Sequence, residues 1–215
     1  MKRDIVCHCG NAIQQDLPDT VDMQAEPQVI QRILEGSFME VTCDKCGEKL
    51  KPDFPVHFKN LEIAGEKIDL DYLPELERTQ FFRNKEESSV RRVAIGYPEL
   101  REKMLVSAND LDDRALEILK FLLVEKAMDK DMGNHSFNDI TVILNSVEDN
   151  QLVFYLYGLK DKEVAVPRVN MDLYNKVLES LPERLENDLY AEIVKPPYVS
   201  INKISLESEE EEEDS

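Results

Sequence analysis

Apolar positions recur along this chain with two different periods, and the switch between them marks out its elements. In EPQVIQRILEGS, Val29, Ile30, Ile33 and Leu34 share one side of a helix. Pro27 suits its first turn and Gly36 its end. Around it the pattern is that of strands. Ala12 to Gln15 reads as a short one, broken by Pro18 and Asp19, and Phe38 to Thr42 as another. Leu61-Ile63 and Ile68-Leu70 predict a hairpin closed by Ala64-Gly65-Glu66. A helical period returns from about Pro98 to Leu105 and again in NDLDDRALEILKFLLVEKA. In the latter, Leu111, Ala115, Ile118, Leu119 and Leu122 form a stripe that Leu116, Phe121 and Leu123 widen. This predicts a helix buried on most sides, with Asn109 or Asp110 as its cap and Asp112 and Asp113 favouring its N-terminal dipole.

Further on, Ile140 to Leu144 and Leu152 to Tyr157 predict two strands joined by turn residues Ser146 to Asn150. Val164 to Val166 predicts a third, short strand. Asn170 is placed to cap a helix carrying Tyr174, Val177, Leu178 and Leu181, ended by Pro182. Tyr190 to Val194 and Tyr198 to Ile201 read as edge strands beside Pro196-Pro197. Helices and strands come in clusters, which favours α+β over repeated βαβ units. The expected organisation is a β module with an inserted helix over 1–75, a linker over 76–95 and an α+β domain over 96–203. An acidic, disordered tail is expected over 204–215.

Charge narrows the function classes. The net charge is −19, of which Glu207, Glu209 to Glu213 and Asp214 supply seven, leaving about −12 elsewhere. A field of that sign repels phosphate backbones and anionic membranes, so neither nucleic acid nor membrane is expected as a partner. No stretch is long and apolar enough to span a bilayer. Met1-Lys2-Arg3-Asp4 is not followed by an apolar signal core, so a cytoplasmic, reducing location is expected. There, paired cysteines point to a metal or to redox thiols before disulfides. Arg78, Arg83, Lys85, Arg91 and Arg92 form a basic cluster in the expected linker, read as pairing with the acidic surface or as a docking patch.

The four cysteines are Cys7, Cys9, Cys43 and Cys46, in two close pairs with 33 residues between them. Cys43-Asp44-Lys45-Cys46-Gly47 has the spacing that turns two thiolates toward one ion, and four thiolates suit a structural zinc with Zn–S near ~2.3 Å. Cys7-His8-Cys9 is shorter. Residues i and i+2 of an extended strand stand about 6.6 Å apart, whereas two sulfurs on one tetrahedral zinc stand only about 3.8 Å apart. The backbone must therefore bend at His8, helped by Gly10, or His8 must replace one thiol as ligand. A redox Cys-x-x-Cys usually sits at a helix N-terminus, and GEKLKPDFPVHF after Cys46 does not read as a helix. His57 could donate to a cysteine sulfur or be a half-buried strand residue. His135 is expected in a solvent-facing loop, and Ser136 lacks an evident triad. Asp110, Asp112, Asp113 and Glu117 suit capping better than a cation site. No glycine-rich phosphate loop is present.

The paired cysteines, GSFMEVTCDKCG, DFPVHF and PELREKMLVSANDLDDRALEILKFLL together resemble the CpXC-domain family, named for Cys-Pro-x-Cys motifs. Both pairs lack the proline, and the first is one residue short. The resemblance implies a zinc-ribbon-like module with Cys7, Cys9, Cys43 and Cys46 as ligands. It implies no activity. The expected function is a non-enzymatic binding or adaptor protein with a structural Zn2+ and a protein partner. The alternatives are a thiol switch that releases zinc on oxidation and an enzyme with a site between the two domains.

Overall fold

The computed structural model describes residues 1–83, 91–131, 136–160 and 162–204. It is a mixed α+β protein. A first hairpin pairs β1 (Lys2–Val6) with β2 (Ala12–Asp16), and β3 (Thr20–Asp22) leads to α1 (Gln28–Leu34). Gly36, at φ +75°, ends that helix in the left-handed conformation an L residue adopts reluctantly. Two residues of strand on each side, β4 (Val41–Thr42) and β5 (Lys49–Leu50), make a second small hairpin. The strand expected from Phe38 is thus confined to its last two residues. Phe38 and Met39 turn inward at the end of α1, with Met39 at φ +58°, and pack into the core.

The long hairpin follows as expected. β6 (Val56–Ile63) and β7 (Glu66–Leu73) are joined by Ala64 and Gly65, both left-handed, the geometry that matches strand twist in a two-residue turn. β3 joins β6 in parallel. On the other side β7 pairs in parallel with β8 (Arg91–Ile95), giving the order β3-β6-β7-β8. Residues 76–95, expected as a linker, therefore contribute α2 (Arg78–Arg83) and a strand hydrogen-bonded into this sheet. Glu87-Ser88-Ser89 and Lys85 lie outside the described residues. The local signal for β8 was weak because RRVAI has no alternation: Arg92, Val93, Ala94 and Ile95 are all buried. Both faces of β8 are covered. Val93 and Ile95 pack with Tyr198, Phe81 and Phe82 on one side, and Ala94 joins the main core on the other.

Beyond it, α3 (Tyr97–Ala108) and α4 (Asp113–Asp131) pack near a three-stranded antiparallel sheet. That sheet has the order β11-β10-β9, from β9 (Thr141–Glu148), β10 (Gln151–Tyr157) and β11 (Arg168–Asn170). Asp149 and Asn150 make the β9–β10 turn, both at positive φ. Val164 to Val166 contributes an isolated bridge, Leu156 to Ala165, in place of the expected strand. Asn170 caps α5 (Met171–Glu179) by accepting from the Asp172 N–H, and Pro182 stands in the first turn of a new short helix, α6 (Leu181–Arg184). Tyr190 to Val194 forms a helix, α7 (Asp188–Ile193), and not the expected edge strand, because Asn187 caps it at the Leu189 N–H. Tyr198 to Ile201 is likewise no strand; it runs irregularly over β8 and α4, with Pro197 accepting from the Val93 N–H. One hydrophobic core runs from Ile5 and Val29 through Leu70 and Leu100 to Leu152 and Ile201. The acidic tail over 205–215 lies outside the described residues.

Candidate metal centre

Each cysteine pair sits at the tip of a hairpin, and hydrogen bonding explains how the unequal pairs meet. In the second loop Cys43 donates its N–H to Glu48 O, and its carbonyl accepts from Gly47, both at 2.8 Å. In the first, Cys7 donates to Asn11 O and its carbonyl accepts from Gly10, again at 2.8 Å. The shorter pair is thus closed one residue earlier by a tighter turn. Both glycines are left-handed, Gly10 at φ +79° and Gly47 at φ +75°. The bend required by the short pair lies at His8 and Gly10. His8 itself is exposed and outside the sulfur cluster.

The four sulfurs of Cys7, Cys9, Cys43 and Cys46 all lie within 4.8 Å of one another. Cys7 Sγ is 3.6 Å from Cys46 Sγ, and Cys9 Sγ is 3.8 Å from Cys43 Sγ. These separations are close to the tetrahedral edge of a Zn–S4 site, about 3.8 Å, so the residues fit a single metal ion. Cys7 and Cys43 are buried; Cys9 and Cys46 face solvent. Burial pushes the Cys43 thiol up, but the N–H groups of Cys46 and Lys45, the Cys46 thiol and the Asn11 amide outweigh it and lower the group to about 6. The Glu48 N–H favours the Cys46 thiolate, yet the sulfurs of Cys7 and Cys9 push that thiol up to about 12. The Cys9 N–H favours the Cys7 thiolate, but burial together with the thiols of Cys43 and Cys9 raises Cys7 as well. One thiolate forms readily here, and further negative charge beside it is disfavoured unless a cation is present.

Asn11 was not visible as a site residue. Its Nδ2 donates to Cys43 Sγ at 3.6 Å and to Asp44 Oδ1 at 2.6 Å, tying the first loop to the second. The only signal was a side-chain amide directly after Gly10. His57 does not take that role: its Nδ1 lies 2.6 Å from Asp71, its cross-strand partner on β7, and it is half-buried. His135 lies outside the described residues, and Ser136 bonds Asp139 in a capping box.

The acidic group around α4 separates into two roles. Asn109 and Asp110 do not cap this helix. Asn109 closes the end of α3 through Leu105 O, and Asp112 accepts from the Arg114 N–H. Asp113 and Glu117 are buried among charges. Asp113 meets Arg92 Nε and Lys103 Nζ, each at 2.9 Å. Lys120 Nζ meets Glu102 at 2.7 Å and Glu117 at 2.9 Å. A 320 Å³ cleft beside Glu102 and Lys120 is also lined by Arg78 and Glu99, but these charges are committed to one another. Three of the five cations of the basic cluster are spent in the same way: Arg78 on Glu75 and Glu99, Arg91 on Asp71, Arg92 on Asp113.

The CpXC protein family profile matches residues 5–120, more than half of the chain, including both cysteine pairs. The chain belongs to the CpXC family. It is also similar to an uncharacterised protein of Treponema pallidum (strain Nichols), 23% identical over 197 residues that cover 80% of this chain and 84% of that one. No solved structure matches. The CpXC match continues through β8 and α3 into α4, past the boundary expected at residue 75. No helix among the described residues is long and apolar enough to cross a membrane.

Proposed function

We propose that Cys7, Cys9, Cys43 and Cys46 hold one structural Zn2+ in a zinc-ribbon-like module, and that the protein is a non-enzymatic binding or adaptor protein of the cytoplasm. The observation that carries the metal is the closure of two unequal loops onto one four-sulfur cluster. When bound, zinc would supply the positive charge that four crowded thiolates need and would tie the two hairpin tips together. Four thiolates leave no open position for a substrate or a water, so the ion acts in folding and not in hydrolysis. Asn11 and the loop N–H groups would hold the sulfurs in place from outside.

Metal content of protein purified without added metal tests the reading, by elemental mass spectrometry on wild type and Cys43→Ser. About one zinc per chain, lost in the variant together with thermal stability, is the expected result. Four freely titratable thiols and no metal would overturn it. A second reading, a thiol switch, is favoured by the exposure of Cys9 and Cys46. Zinc release by mild peroxide, reversed by a thiol reductant, distinguishes it from a static site.

A further inference from the structure

The three-stranded sheet has an unfinished edge. Leu156 and Ala165 exchange both backbone hydrogen bonds, and the Phe154 N–H donates to Pro167 O. Because antiparallel pairs alternate, Ala165, Pro167 and Val169 turn their backbones toward β10 and Val166 and Arg168 turn theirs away. Among the described residues, Val166 makes no backbone hydrogen bond. The side chains here are also unusual for a surface. Val164 is 43%, Val166 50% and Leu173 49% exposed. Between this edge and α4 and α5 lies a groove of about 650 Å³, with Leu123, Leu156 and Leu173 among its apolar lining and Lys126, Lys160 and Arg168 at its margin.

Three cations gathered at one apolar groove stand out in a chain of net charge −19. Among the described residues, two of them have only long, solvent-exposed acidic partners: Lys160 with Glu163 at 3.4 Å and Arg168 with Glu148 at 3.6 Å. Such pairs contribute little and exchange readily. We propose that this edge and groove bind an extended peptide segment of a partner protein that alternates apolar and acidic residues. The segment would add a strand outside Val166 and Arg168, place alternate apolar side chains in the groove, turn the carboxylates between them toward Arg168, and meet Lys126 and Lys160 with carboxylates at the groove's margin. A second copy of this chain fits poorly, since pairing two such edges would bring their Arg168 side chains together. An anionic membrane fits poorly as well, because the feature is concave and the rest of the chain is strongly acidic.

The inference deepens the binding-protein reading by naming the partner's chemistry and does not depend on the metal. Its test selects short random displayed peptides on the full chain, then compares binding to wild type, to Lys126→Glu/Arg168→Glu and to Val166→Pro. Both variants alter exposed positions, and the proline removes an outward N–H without touching the pairing to β10. The expected result is a consensus alternating apolar and acidic residues, with affinity falling on the order of tenfold or more in each variant. Peptides without acidic residues, or bound equally by the variants, would overturn the groove while leaving a binding protein. No enrichment would overturn peptide recognition altogether. Binding to phosphatidylserine vesicles that the charge reversal abolishes would overturn it in favour of a membrane.

Discussion

Two places in this molecule concentrate polar chemistry, one sealed from water and one half open to it, and they satisfy it in opposite ways. Between α3, α4 and β8, three cations and three carboxylates are buried together, and every charge has a partner of the other sign. Arg92 and Lys103 flank Asp113, and Lys120 joins Glu102 to Glu117. Backbone groups complete the set: Glu102 accepts from Leu144, Glu117 accepts from Ile201, and Lys103 donates to Val199 O. At the hairpin tips, four thiols crowd together with, among the described residues, only each other and Asn11 as side-chain partners. The first arrangement is electrically complete as it stands. The second, on the proposed zinc reading, is completed by a cation. Burial of charged groups alone therefore does not mark a binding site.

On the zinc reading proposed above, removing the metal should break the comparison most sharply. With a strong chelator, hydrogen exchange is expected to lose protection in β1, β2, β4 and β5 while the buried part of α4 keeps it. The stabilisation withdrawn would approach the roughly 10 kcal/mol or more that structural zinc supplies to small modules. Uniform loss across the chain would show that the two places are one cooperative unit.

Breaking the complete network should come next. Asp113→Ala leaves Arg92 and Lys103 buried without their carboxylate, and a loss of about 3–5 kcal/mol is expected by urea unfolding. A loss below about 1 kcal/mol would mean that water or a neighbour replaces it.

Acid should then separate the two. Burial raises the Asp113 carboxyl, but Lys103 and Arg92 outweigh it and hold the group at about 2, against 3.8 unperturbed. A depressed folded pKa gives stability that is present above the unfolded value and lost as pH falls through the folded one. The Asp113 contribution, about 2 kcal/mol, should therefore fade between about pH 4 and pH 2. In Asp113→Ala that part of the acid dependence should vanish.

The smallest effect is expected at Asn11. Asn11→Ala removes the donor to Cys43 Sγ and the link to Asp44, and metal affinity should fall roughly tenfold, read by competition with a chromogenic chelator. An unchanged affinity would assign Asn11 to loop geometry alone.

Local chemistry was largely legible. The Ala64-Gly65 turn, the Asn170 cap and the stop at Gly36 depend on residues within a few positions of one another. The buried character of α4 was legible too, and it holds the reason for the network. A helix buried on most sides cannot send Glu117 and Lys120 to solvent, so they require partners inside. What those partners would be was not legible. Arg92 reads as one cation in a polar stretch, and Lys103 as a surface lysine, until β8 enters the sheet and α3 turns toward α4.

The sequence by itself determined that two cysteine pairs exist with glycines placed to bend each loop, that the helices and strands cluster as α+β, and that the chain is strongly acidic. These are properties of composition and of spacings short enough for backbone sterics to act on. Only the tertiary structure decided that four sulfurs from residues 7 to 46 meet within 4.8 Å, that Asn11 and not His57 supports them, and that six charges from β8, α3 and α4 cancel in the core. The physical reason is range. A turn is fixed by φ and ψ at two or three residues, whereas a Coulomb partner is chosen by whichever distant element the packing brings within about 3 Å.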